Sequence, residues 1–297
     1  QSANPVYVGG TWHGRPYSHI CKELRYNCID GDVPLYCSLK QPTGDKIHYH
    51  QGATHLNSSQ VMCISFFKKF FETPEHEVLL LKILNELITT NPTKSSIPTD
   101  VAITAAYFEY EPDHAERTNF DFYLELSSGV HISIEVKFTE SDFGKISSCK
   151  NDPQKYARKW TNTYVPLLKK CACAQDILLS CKNCEQTVMC AENGVLSDRC
   201  AHSEDCFVHE FYEHYQIWRN IAYATSPLDL VIFLTPRLND SLNIERTYID
   251  ALSSQVNGPT IQNIFWEDLI HASLAQAKND AKLFGYLKRF AEKYLLK

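Results

Sequence analysis

Two acidic residues and one lysine stand where a pair of strands would place their side chains on a single face. Asp121 opens the segment 121–126, while Glu135 and Lys137 lie in the segment 130–138. Both segments alternate apolar and polar residues, and the linker between them has three residues and ends in glycine. This pattern is typical of a β-hairpin with one buried face.

The alternation predicts how the two strands pair. If Leu126 pairs with Val130, every apolar residue of the first strand meets an apolar partner, and a slip of one residue would break all of these matches. On the other face Asp121 is then opposite Glu135. Lys137 lies two residues further along, on the face that carries Glu135.

A pair of carboxylates in this position needs a partner. Directly opposite residues of a sheet have Cβ atoms about 5 Å apart, and like charges there are destabilising. Either a raised pKa with a shared proton or a bound divalent cation would relieve the repulsion. A hard cation, two carboxylates and an ammonium group are what hydrolysis of a phosphodiester requires, because the metal polarises the phosphate and lowers the pKa of the attacking water. The alternative is a solvated strand face with a surface salt bridge.

The hairpin resembles the signature of the PD-(D/E)XK nuclease superfamily, with Asp121 on one strand and Ile134-Glu135-Val136-Lys137 on the next. The proline that often precedes the aspartate is replaced by Phe120. Two flanking segments, 57–60 and 214–220, are similar to a bacterial restriction-endonuclease-like branch of the superfamily. The resemblance covers residues 57–165 and 207–240.

The resemblance implies a DNA endonuclease that depends on Mg²⁺ or Mn²⁺. Its fold would be α/β, with a restriction-endonuclease-like core in which helices flank a mixed central sheet. Asp121 and Glu135 would bind the metal, and Lys137 would orient water or steady the phosphate. Cleavage of both strands of a duplex would favour a homodimer, with one site for each strand.

The resemblance also implies further site residues on two helices. A carboxylate on a helix before the hairpin would be Glu77, with Glu75 and Glu86 as rivals. Gln216 would lie near the scissile phosphate on a later helix, and Gln60 would be another polar contact. For each of them the alternative is a solvent-facing helix position.

A cysteine-rich insert is predicted at 170–206, because seven of the twelve cysteines lie there. The pair Cys-x2-Cys followed by later cysteines is a reasonable tetrahedral zinc pattern. The candidate ligands of a structural Zn²⁺ are Cys181, Cys184, Cys200 and Cys206, with Cys190 as a rival. An iron–sulfur cluster or a set of reduced cysteines is equally open at this stage.

Composition limits the class of protein. The 297 residues are 44% hydrophobic and 22% charged, which is ordinary for a globular chain and excludes a disordered or collagen-like one. A net charge of −6 has the wrong sign for a passive nucleic-acid coat protein, although an enzyme needs only a locally positive groove. No apolar run approaches the roughly 18 residues of a membrane span. Without a basic start followed by an apolar stretch, we expect a cytoplasmic protein.

Two regions follow from the patterns along the chain. Residues 1–56, rich in Gly, Pro, Tyr and His, are predicted to form an irregular N-terminal lobe, and 57–297 an α/β nuclease-like domain. Beside the hairpin, we expect helices that begin near 57 and 74, helices at 153–169 and 207–224, strands at 228–234 and 261–265, and a helical C-terminus from 266. The competing hypothesis is a non-catalytic domain, stabilised by a structural zinc ion, that binds nucleic acid or protein.

Overall fold

The computed structural model describes residues 10–16, 19–41, 43–88, 96–98, 100–113, 118–144, 160–171, 207–254 and 258–296. The predicted cysteine-rich insert lies outside these residues apart from its first two positions. The candidate zinc ligands are therefore not described, namely Cys181, Cys184, Cys190, Cys200 and Cys206. None of the helices in the described part of the chain is long and apolar enough to cross a membrane.

A mixed sheet of five strands forms the centre of the molecule. The strands in the described part of the chain are β1 (Thr11–Trp12), β2 (Arg15–Pro16), β3 (Ile103–Asp113), β4 (Thr118–Leu126), β5 (His131–Val136), β6 (Leu230–Thr235) and β7 (Thr260–Phe265). The first two pair with each other, and the other five stand in sequential order. Pairing is antiparallel from β3 to β5 and parallel from β5 to β7. The prediction of an α/β fold with a mixed sheet is confirmed.

The hairpin of β4 and β5 has the predicted register. Phe122 pairs with Ile134 and Leu124 with Ile132. The loop closes with a bond of 2.9 Å from Leu126 N to the Val130 carbonyl. Gly129 supplies the positive φ of 79° that this short loop needs. The paired residues end with Phe122 and Ile134, and Asp121 and Glu135 are the next residues at the open end of the hairpin.

Eight α-helices occur in the described part of the chain. They are α1 (Ser59–Phe67), α2 (Pro74–Ile88), α3 (Val165–Leu168), α4 (Phe207–Glu213), α5 (Tyr215–Ala222), α6 (Asn243–Ser253), α7 (Trp266–Gln276) and α8 (Ala281–Tyr294). Two predicted helices are each divided in two. His214, with φ −113° and ψ 40°, interrupts the helix predicted at 207–224. Asp280 begins α8 within the C-terminal helix, because its side chain accepts from two backbone N–H groups of the first turn.

Each face of the sheet packs against a different set of helices. The apolar residues of the hairpin, Leu124 and Ile132 among them, lie in one core with α1, α2, α7 and α8. On the opposite face Val231 and Phe233 of β6 pack against α5. On this second face α5 covers the parallel half of the sheet. Polar residues of β4 and β5 on the same face therefore lie at the edge of the area that α5 covers. This border is where the sheet positions the acidic residues.

The N-terminal lobe is attached to both ends of the domain. Cys37 and Leu39 exchange backbone hydrogen bonds of 2.9 Å with β3. At the C-terminus, Lys293 of α8 donates to Asn27, and Arg289 pairs with Asp30 at 2.9 Å. The N-terminal lobe therefore covers β3, the edge strand of the sheet.

Candidate active site

Asp121, Glu135 and Lys137 lie together at the open end of the hairpin. Glu135 is 4% and Lys137 8% exposed, and Lys137 Nζ is 2.8 Å from Glu135 Oε1. Asp121 Oδ2 accepts a hydrogen bond of 2.6 Å from the backbone N–H of Val136. The two strands thus bring together the three residues that sequence alone placed on one face.

Negative charge accumulates around Asp121. Burial raises the pKa of its carboxyl well above the usual range, and the charges of Glu135 and Glu109 raise it further. Lys137 and the Val136 N–H act in the opposite direction without cancelling this effect. The ionised form of Asp121 therefore needs a compensating charge that the described side chains do not fully supply.

Glu135 and Lys137 behave as an ion pair. Burial alone would raise the pKa of Glu135, but the charges of Lys137 and Arg219 and hydrogen bonds from Lys137 and Asn220 outweigh it and lower this pKa. Burial would likewise lower the pKa of Lys137, yet Glu135 and Asp121 raise it. Lys137 is therefore an ammonium group at neutral pH, suited to hold or stabilise an anion and unsuited to accept a proton.

Glu109 of β3 is a third carboxylate that the sequence analysis did not identify. It has a positive φ of 50°, which is rare for a residue with a side chain and interrupts the alternation of the strand. Its carboxylate accepts hydrogen bonds from Gln60 and Asn119. Burial raises its pKa, and the charge of Glu135 adds to this. Gln60 is thus a polar contact of the acidic cluster, held in turn by the backbones of the N-terminal lobe.

Asn220 of α5 is a second residue that we did not single out as a site residue. It is 1% exposed, and its Nδ2 donates to Glu135 Oε2 at 3.0 Å. Among the described residues, its own Oδ1 is buried without a hydrogen-bond partner. Gln216 lies one turn earlier on the same ridge, with its side chain against the backbone of Gly144 and a buried Oε1 that has no hydrogen-bond partner in the described part of the chain. The polar ridge of α5 therefore faces the cluster, and its member in contact with Glu135 is Asn220.

The carboxylates of α2 have other partners. Glu77, our candidate from the resemblance, forms an ion pair of 2.6 Å with Lys40 of the N-terminal lobe. Glu86 accepts a hydrogen bond of 3.0 Å from Gln276. A site role for Glu77 stays a prediction, and the contacts of Glu109 make Glu109 the stronger candidate for the third acid.

The cluster has the donor set of a hard divalent cation. Mg²⁺ is usually held by one or two carboxylates, with water and substrate phosphate completing its shell. Asp121 and Glu135 supply two such groups, and the unbalanced charge on Asp121 favours a cation beside it. Within the described residues, no group of three or more His, Cys, Asp or Glu side chains is placed to hold a metal ion. The pair therefore fits Mg²⁺ with substrate better than a metal enclosed by protein ligands alone.

The sheet order and the acidic hairpin define an α/β protein with a restriction-endonuclease-like fold. The chain matches the model of the family described as "restriction endonuclease associating with ARP" over residues 13–295, and it belongs to that family. No curated protein and no solved structure is significantly similar to the chain.

Replacing Glu109 with Gln tests whether the third acid is on β3 or on α2. We expect Glu109→Gln to slow metal-dependent DNA cleavage by about 10-fold or more, the usual loss when a residue that supports a metal ligand is changed. Glu77→Gln is the matched control, because it removes a carboxylate that pairs with Lys40. Rates of plasmid cleavage at saturating Mg²⁺ provide the measurement. A larger loss in Glu77→Gln than in Glu109→Gln would restore Glu77 as the third acid.

Proposed function

We propose that this protein is a metal-dependent DNA endonuclease that hydrolyses phosphodiester bonds, in a restriction or defence role. The observation that carries the proposal is the cluster of Asp121, Glu135 and Lys137 on one hairpin, in which Glu135 and Lys137 are buried and the described side chains do not fully stabilise the ionised form of Asp121. Membership of a family described as restriction endonucleases supports DNA as the substrate. A solvated strand face would not bury two of these three charged groups.

Each residue of the cluster has a role that follows from its environment. Asp121 and Glu135 would hold Mg²⁺, which when bound polarises the phosphate and lowers the pKa of water beside it. Lys137 presents a permanent positive charge and N–H donors to the phosphate or to the attacking water. Because this charge is fixed by Glu135 before substrate arrives, it would stabilise the extra negative charge that develops on the phosphoryl oxygens in the transition state.

Asn220 and Gln60 position the acids. Asn220 fixes one oxygen of Glu135 while Lys137 takes the other, so the carboxylate of Glu135 has one orientation. Gln60 connects Glu109 to the backbones of His48 and His50, which couples the acidic cluster to the N-terminal lobe. A homodimer with one site for each DNA strand remains our prediction for cleavage of duplexes.

The first test is cleavage of supercoiled plasmid by the purified protein. We expect nicked and linear products with Mg²⁺ or Mn²⁺, none with EDTA, and recovery of cleavage when excess Mg²⁺ is added, because Asp121 and Glu135 supply too few ligands for a permanently enclosed metal. Metal analysis of the same preparation is the control for zinc. Stoichiometric zinc without any Mg²⁺-stimulated cleavage would favour the competing non-catalytic binding module.

A further inference from the structure

A cleft of about 660 Å³ opens beside the acidic cluster. One wall comes from the N-terminal lobe and includes Asp45, Lys46 and His48, and the other comes from β3 and β4. Glu109 lines the cleft, and its negative charge also raises the pKa of Asp121. Glu109 is therefore shared between the cleft and the acidic cluster, whereas Asp121, Glu135 and Lys137 do not line the cleft.

Aromatic rings form part of the strand wall. Tyr107 and Tyr110 both line the cleft, and their ring centroids are 5.3 Å apart. Tyr110 in turn stacks on Tyr123, with centroids 4.1 Å apart and planes inclined by 7°. Residues three apart in a regular strand lie on opposite faces, so the contact between Tyr107 and Tyr110 depends on the positive φ of Glu109 between them. A half-buried tyrosine at the end of such a stack offers a platform on which a nucleobase can stack.

The charges of the cleft indicate which part of a nucleic acid it would accept. Three carboxylates line it, those of Asp45, Glu109 and Glu111, together with one lysine, Lys46, among the described residues. This excess of negative charge repels phosphate groups, which proteins bind with cations. Carboxylates instead accept hydrogen bonds from exocyclic amino groups, as they do from N4 of cytosine.

We infer that this cleft receives an unpaired nucleobase of the DNA strand beside the phosphodiester that is cleaved. The inference rests on the proposed function. The base stacks on Tyr107, its amino group donates to Glu111 or Glu109, and the flanking phosphates stay outside near Lys46. Substrate DNA is then single-stranded at this position or has one base turned out of the duplex.

The test uses DNA that contains 2-aminopurine, whose fluorescence rises when it leaves the base stack. Binding is measured with the Asp121→Asn protein, so that the DNA stays intact while fluorescence and anisotropy are recorded. We expect a rise in fluorescence for 2-aminopurine at one position of the site. Tyr107→Leu in this background removes the rise and weakens binding of a single-stranded oligonucleotide about 10-fold, as loss of one base–aromatic stack does. Tyr107→Phe keeps both.

Two further variants separate recognition from folding. We expect the wild-type protein to bind oligo-dC more tightly than oligo-dT, because cytosine has an amino group that a carboxylate can accept from. Glu111→Gln should reduce this preference without removing stacking, because the amide of Gln offers one acceptor oxygen in place of two. Tyr26→Leu is the matched control, since Tyr26 is a partly exposed tyrosine outside the cleft. Melting curves of all variants show whether a loss of binding reflects unfolding.

The outcomes distinguish this inference from the proposed function. Cleavage by the wild-type protein without any 2-aminopurine response, or with a response that a folded Tyr107→Leu protein retains, overturns the inference and leaves the nuclease intact. In that case the tyrosines only pack the end of the strand pair. A Tyr107-dependent response in a protein that never cleaves DNA supports the cleft and refutes the nuclease.

Discussion

Replacing Asp121 with Asn will slow metal-dependent DNA cleavage by roughly 100-fold or more, the loss expected when a preorganised charge is removed from a catalytic site. Asn has nearly the same volume as Asp, and its amide oxygen can still accept the Val136 N–H. The substitution removes a carboxyl group whose ionised form is disfavoured by burial and by the charges of Glu135 and Glu109. We therefore expect the free energy of unfolding to stay the same or to increase while activity is lost.

The measurement combines plasmid cleavage with thermal melting in the presence and absence of Mg²⁺. Mg²⁺ binds the folded state and should raise the melting temperature of the wild-type protein. This increase should be smaller in Asp121→Asn. Glu125→Gln is the matched control, because it removes a carboxylate from the same strand and from the same face at a position next to His131. Normal cleavage by Asp121→Asn would contradict the assignment of Asp121 as a metal ligand.

The hairpin could be predicted because its information is local. Both strands alternate strictly, the loop is short, and a slip of one residue would have exposed Phe122 and Leu124 together. The same alternation places Asp121 and Glu135 on one face of the hairpin. The mixed sheet could be predicted from a different signal, the order of helices and strands along the chain.

The third acid could not be predicted because its position depends on backbone geometry and on distant residues. The segment around Glu109 contains a second acid two residues later, Glu111, and nothing in the alternation distinguishes them. The positive φ of Glu109 and its hydrogen bond with Gln60, about fifty positions away in the sequence, decide which one faces the cluster. Glu77 was chosen by resemblance alone, and its ion pair with Lys40 has no local signal.

Asn220 shows an intermediate case. Gln216 of α5 was predicted as a site residue, with a solvent-facing helix position as the alternative. Whether Gln216 or Asn220 contacts Glu135 depends on how the connection between β5 and β6 orients α5 on the sheet. Much of that connection lies outside the described residues, and no pattern in it predicts the rotation of α5 about its axis.

Replacing Lys137 with Met will destabilise the protein by about 3 kcal/mol and abolish cleavage. Lys137 and Glu135 are both buried, and removal of one partner leaves a buried charge without compensation. Adding Glu135→Gln to this variant removes the remaining charge and keeps an oxygen that can accept from Asn220. We expect the double variant to recover most of the lost stability and none of the activity, so that the effects of the two substitutions on stability are strongly non-additive.

Urea unfolding of the wild-type protein, the two single variants and the double variant provides this cycle, with cleavage assayed on the same samples. Lys278→Met is the matched control, because Lys278 is an exposed lysine in the short 3-10 helix that follows α7. A double variant no more stable than Lys137→Met would show that the ion pair is not coupled. Recovery of cleavage together with stability would contradict the roles of both Lys137 and Glu135 in the reaction. If stability alone returns, the ion pair accounts for the loss of stability, and the loss of cleavage is a separate effect of removing residues of the site.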